Sequence, residues 1–136
     1  MKPDSGQITA FVVVIFAALV LVAGLVLDGG LILSARLRAL NEAQEAARAG
    51  AQAIDLATYR STGTITLDPS QAAAAARAYL TSTGARGDVQ VNGDQVTVTV
   101  RRTQATQILA VAGIGSVVVH GTAVAEPARG ITGVIR

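Results

Sequence analysis

ITAFVVVIFAALVLVAGLVL, residues 8–27, is a run of twenty residues without a charge. A helix rises about 1.5 Å per residue, so a segment of this length covers the roughly 30 Å of hydrocarbon in a bilayer. It also satisfies its own backbone polar groups there. A cleaved signal peptide has a shorter apolar core, of about 7–15 residues, followed by a small-x-small site, and Leu21-Val22-Ala23 imitates that site poorly. A buried core helix would need more apolar cover than the remaining residues can offer. The stretch therefore reads as a membrane span, anchored in lipid by side chains such as Ile8, Phe11, Phe16, Leu21 and Leu27.

The rest of the composition agrees with an anchor plus one small domain. The chain has 136 residues, of which 51% are hydrophobic and only 15% charged; ordinary soluble domains carry about 25% charged residues. Cysteine is absent, which excludes disulfides, thiolate metal sites and thiol chemistry. Apart from Lys2 the basic residues are arginines, scattered along the chain without the clustering of a nucleic-acid groove. The aromatic residues are Phe11, Phe16, Tyr59 and Tyr79 alone, too few for base-stacking or sugar-stacking platforms. No nucleic-acid partner is expected.

Working outward from the span, helical character continues through an amphipathic extension, residues 31–57, so that residues 1–57 form an N-terminal helical region. Ala35, Ala39, Ala43, Ala46 and Gly50 recur at steps of three and four and share one face. Small residues let another backbone approach closely, so this face can pack on partner helices or on the chain's own domain. Arg38 with Glu42 and Glu45 with Arg48 stand at helical spacing on the polar side. Gly29 and Gly30 offer a flex point where the span ends. Asp28 sits at that end, where a charge rests among headgroups at little cost or contacts a partner. Orientation is not decided by charge: Lys2 precedes the span, and Arg36, Arg38 and Arg48 follow it.

Residues 58–136 change period and read as an α+β domain. Thr64 to Leu67 alternate as a short strand. Asp68-Pro69 then supplies an N-cap and a proline at the first helical position for a helix reaching Thr83, closed by Gly84. Residues 88–91 and 94–101 flank Asn92-Gly93 as a hairpin, with Val96, Val98 and Val100 on its inner face. Residues 103–113 read as a short helix, and 116–125 as a last strand stopped by Pro127. The order strand, helix, strand, strand, helix, strand corresponds to a ferredoxin-like βαββαβ arrangement with a four-stranded antiparallel sheet. If the first strand fails, three strands remain against the long helix.

Chemistry is sparse. There is no nucleophile elbow and no phosphate loop, and the lone His120 cannot make a histidine-based metal site. Asp68, Asp88, Asp94 and Glu126 stand at caps, turns and strand ends. Neither an enzyme nor a cofactor is expected. The external part carries seven arginines against these four acids, a net +3 that would also suit a membrane-tethered binding module for anionic envelope or extracellular material.

Residues 5–55, SGQITAFVVVIFAALVLVAGLVLDGGLILSARLRALNEAQEAARAGAQAID, resemble the N-terminal region of the TadE/TadG-like proteins of tight-adherence (Flp-type) pilus systems. The shared features are the glycine before the span, Asp28-Gly29 at its far end, an arginine-bearing turn, and the alanine-rich segment from Glu45 to Ala51. The resemblance implies a pseudopilin-like protein of a bacterial cytoplasmic membrane, with a single-pass helix and an extracytoplasmic C-terminal domain. It also implies a role as a minor pilin or pilus-assembly component, with other pilins and Tad-type membrane proteins as partners, and a place in a surface pilus or its assembly machine. Pilin-like precursors are cut after a glycine, with glutamate at the fifth position beyond it. Here Gly6-Gln7 would be the cut, and Phe11 stands where that glutamate would be. Processing at Gly6 is thereby disfavoured, as is the role of a major filament subunit, whose glutamate pairs with a neighbour's terminal amine.

Overall fold

The computed structural model describes residues 5–129; Lys2 and residues 130–136 of the expected α+β domain lie outside them. The span and its extension form one helix, α1, Ser5–Ala51, of 47 residues, about 70 Å long at ~1.5 Å per residue. No proline falls between Pro3 and Pro69 to interrupt it, and strong helix formers fill its second half. The Gly29-Gly30 pair stays helical.

The helix stops short of the expected residue 57 because the chain finds other partners. The Asp55 N–H donates to the Thr66 carbonyl and the Asp68 N–H to the Ala53 carbonyl, both at 2.9 Å. Asp55 then caps a one-turn-plus helix, α2, Leu56–Thr62, closed by Gly63 in the left-handed region. The expected strand at 64–67 is not a sheet strand: it contributes a single bridge, Leu67 to Ile54, to the turn that follows α1. That local pairing uses the backbone groups a fourth strand would have needed.

α3 is Pro69–Thr83, with Asp68 as N-cap, proline at its start, and Gly84 in the left-handed region at its end. Asp68 accepts from the Ser70 hydroxyl, the Ser70 and Gln71 backbone N–H groups and the Gln71 side-chain amide. These donors, the Ser70 hydroxyl foremost and then the Gln71 N–H, hold its carboxyl below the ordinary value. A lowered folded-state pKa means that the cap stabilises above the unfolded value of ~3.9 and that this contribution is lost as pH falls through the folded value. Asp68→Asn keeps a capping oxygen but loses the charge, and is therefore expected to melt slightly lower than the wild type at pH 7, with the gap closing as pH falls below about 4. Thermal melts of both forms across pH 2.5–7 in micelles check this. A gap that stays constant over that range would contradict it.

The sheet is an antiparallel three-stranded meander in the order β1 (Arg86–Asn92), β2 (Gln95–Ala105), β3 (Ser116–Ala125). Val91 pairs with Val96 and Val89 with Val98, so the expected inner face is kept. Asn92 pairs with Gln95, which makes Gly93-Asp94 rather than Asn92-Gly93 the two-residue loop. Gly93 has φ 59°, and among the described residues no non-glycine residue, Asp94 included, has a positive φ, the pattern of a type II′ turn with glycine first. The expected helix at 103–113 is absent as well. β2 runs on through Ala105, and residues 107–113 form a tight turn of i→i+3 bonds that returns the chain to β3. The class is α+β as read from the sequence, but with a three-stranded sheet instead of the four-stranded ferredoxin-like one.

The chain divides into two compact units. One joins Arg36–Arg102 with Val118–Arg136, and the other joins Met1–Ala35 with Thr103–Val117. The first holds the core: Ala39, Ala43, Ala46 and Ala47 of α1; Ala72, Ala76 and Leu80 of α3; Val96, Val98 and Val100 of β2; and Leu67. Alanines on both helices keep this core thin, and the valines of β2 supply most of its volume.

Candidate functional site: the faces of α1 and the Asp28 clasp

The membrane-facing side chains are all outward. Ile8, Phe11, Phe16, Leu21 and Leu27 are exposed, as an all-round apolar helix requires when lipid rather than protein covers it. Gly6 and Gln7 lie in the first turns of the same helix and are exposed. A stretch this apolar with so little protein cover is long and apolar enough to cross a membrane, which fits an anchor in lipid.

Within the larger unit, the small-residue face of α1 is filled by the chain itself. Ala39, Ala43 and Ala46 are buried in the core. Gly50 meets the Ala72 carbonyl and Val96: a Cβ there would lie 2.9 Å from each. The tightest approach is at Gly121 of β3, where a Cβ would sit 2.3 Å from the Leu40 nitrogen and 2.4 Å from the Ala39 carbonyl carbon. Strand backbone therefore lies directly on helix backbone, and only glycine fits. Of the two occupants this face could have, the chain's own sheet and α3 hold it.

Glu42, one turn along, reaches β2: its carboxylate takes both the Arg102 Nε (3.0 Å) and Nη2 in a two-point ion pair. The pair is half-buried, and this planar fork is the geometry in which arginine binds carboxylate best. Glu45 and Arg48 make the expected surface pair at 2.9 Å. Two more arginines of residues 58–136 are also matched, Arg101 with Asp88 and Arg129 with Asp94. The acids of those two pairs are already counted in the net +3, so among the described residues only the Arg102–Glu42 pair, whose acid lies on α1, takes from the positive charge of that part.

In the smaller unit, Asp28 does more than end the span. Its side chain is buried, and it accepts three consecutive backbone N–H groups: Gln107 at 2.8 Å, Ile108 at 2.9 Å and Leu109 at 2.7 Å. This is the acceptor role an aspartate plays at a helix N-cap, here supplied from 79–81 residues away to the turn between β2 and β3. One helical turn earlier, Gly24 lies under Ile108; a Cβ at position 24 would come within 2.3 Å of its Cγ2. Ala35 is buried in this unit too.

Two of these features, Gly121 and Gly24, were not read as sites in the sequence, nor were the partners of a third. Asp28 was singled out, but its partners sit in what read as a helix. Gly121 had one available signal, a glycine inside a β-branched strand, which marks a close backbone approach. Gly24 had none beyond being a glycine in an apolar run. Among the described residues no three His, Asp or Glu side chains come together. A depression of about 200 Å³ between Arg48, Gln52 and Glu126 is walled otherwise by Ala51, Ala125 and Ala128.

The fold and these faces define a membrane-anchored α+β protein whose long helix is its chief organising element. Residues 6–53 match the TadE/G-like Flp pilus-assembly family. The match covers the span, Asp28 and the alanine face, about a third of the chain, and it supports a Tad pilus-related role. No curated protein and no solved structure matches the chain.

Proposed function

We propose that the protein is a minor pilin or pilus-assembly component of a Flp/Tad-type system, acting by subunit contacts and not by catalysis. The observation that carries this reading is the family match over residues 6–53, which coincides with nearly all of α1. α1 holds the chain in the membrane and its C-terminal domain is extracytoplasmic. Because the alanine face is taken by the sheet and α3, contacts with other pilins and Tad membrane proteins use the opposite face, where Leu33 and Leu37 are exposed. Phe11, in place of the glutamate of processed pilins, favours a component retained in the membrane over a major filament subunit.

Deleting the gene is expected to abolish surface piliation and Tad-dependent attachment, counted by electron microscopy and a surface-adhesion assay. Restoring the intact chain recovers both. Normal piliation and attachment in the deletion strain would overturn the proposal.

A further inference from the structure

The turn that Asp28 clasps has a composition unlike that of the rest of the external part. From Thr103 to Ala125 there is no Asp, Glu, Lys or Arg, and residues 107–115 read QILAVAGIG. Two of its apolar side chains face outward: Val111 is 89% exposed, and Ile114 is half exposed at 49%. A single exposed valine needs no explanation, but a charge-free turn with its apolar residues outward does.

The position of the turn supplies one. Ile108 lies on Gly24, three residues inside the last residue of the apolar run, or about 4.5 Å along the helix axis. Leu25, Val26 and Leu27 beside it are exposed and form the end of the span. The turn is thus continuous with a surface that already faces hydrocarbon.

Backbone bonding agrees. Each backbone polar group left unpaired in hydrocarbon costs several kcal/mol, so an irregular turn is kept out of the hydrocarbon centre and can enter only the interfacial layer, with its donors paired. Here the N–H groups of Gln107, Ile108 and Leu109 go to Asp28. Those of Val111, Ala112, Gly113 and Ile114 go to carbonyls of the same turn, and that of Thr106 to Gly115. The Thr106 hydroxyl donates to the Ile114 carbonyl. Eight of the nine amides from 106 to 114 are therefore donated without water. The Asp28 charge is in turn enclosed by the N–H groups it accepts, which is how an ionised group is carried into a poorly solvated layer.

We infer that the β2–β3 turn, residues 107–115, is a second membrane contact: it dips into the leaflet at the C-terminal end of the span and places Val111 and Ile114 among acyl chains. The inference rests on residues 8–27 spanning the bilayer and is independent of the pilus role. The chain's lack of cysteine makes the test direct. Full-length Val111→Cys and, as a reference within the span, Leu19→Cys are labelled with a fluorophore and reconstituted into phosphatidylcholine vesicles carrying bromines at defined acyl positions. The Val111 label is expected to be quenched most by bromines high in the acyl chain, about 5–10 Å below the headgroup boundary, and to be shielded from aqueous iodide. The Leu19 label is expected to be quenched by deeper bromines. A Val111 label quenched by iodide and not by lipid, while the Leu19 label is quenched by lipid, overturns the inference and leaves the anchor standing. A Val111 label shielded from both quenchers overturns it in favour of a protein surface, such as a second copy, over the turn. A Leu19 label untouched by lipid would remove the span itself. Because Val111 touches little protein, its replacement leaves the fold intact.

Discussion

Gly121→Val is expected to leave the unit that holds α3 and the sheet core unfolded. The first added carbon would lie 2.3 Å from a backbone nitrogen of α1 and 2.4 Å from a backbone carbonyl carbon; these atoms belong to a helix and cannot swing aside like a side-chain tip. Ordinary overpacking costs about 1–3 kcal/mol where side chains can adjust. Here either β3 must lift off α1, opening the core at Val119 and Ala39, or the helix must bend. Gly121→Ala alone should cost at least about 3 kcal/mol and lower the melting temperature by roughly 10 °C or more. Circular dichroism melts of the full chain in micelles measure this, with loss of β signal for the valine variant. Thr122→Val, at the neighbouring outward position, loses only an exposed hydroxyl contact with Thr99 at 3.1 Å and should cost under about 1 kcal/mol. An alanine variant that melts with the wild type would show that β3 does not rest on α1 backbone.

Asp28→Ala should free the β2–β3 turn without unfolding the rest. Three consecutive amides lose their acceptor at once, and the helix offers no other group at that position. Hydrogen exchange at Gln107, Ile108 and Leu109 is expected to accelerate roughly tenfold or more, while the Val96, Val98 and Val100 amides of the core stay as protected as before. Asp28→Asn should fall between, because its amide retains one acceptor oxygen but turns an NH₂ group toward the same N–H groups. Residue-resolved exchange on nanodisc-embedded protein distinguishes the three. Unchanged exchange in the alanine variant would mean that the turn is held by its own bonds and that Asp28 is incidental.

These two positions also show what could be read from the sequence and what could not. The span was legible because twenty uncharged residues admit few readings. α3 was legible to the residue because Asp68-Pro69 and Gly84 are local signals whose physics is complete within a few residues. The inner face of β2 followed from alternation alone. The misreadings lie where a long-range partner decided. Residues 64–67 alternate like a strand, yet their backbone pairs with the turn after α1. Residues 103–113 have helical composition, yet the ladder with neighbouring strands extends β2, and an aspartate from the membrane helix fixes the turn. The alanine stripe was visible as a packing face, but its occupant was not, because periodicity shows that a face is buried and not against what.

The same distinction governs function. The family resemblance lies in residues 6–53, the part that anchors and organises the chain, and the sheet beyond it carries no comparable signal. Phe11 is the residue on which the two pilus roles part, since it faces outward on α1 where a processed pilin places its acid. The most direct measurement is to recover the Gly6-Gln7 region by mass spectrometry from membranes and from sheared surface filaments of piliated cells. Peptides that span an intact Gly6-Gln7 bond, confined to the membrane fraction, are expected of a retained assembly component. Peptides beginning at Gln7 and abundant in the sheared filaments would contradict it.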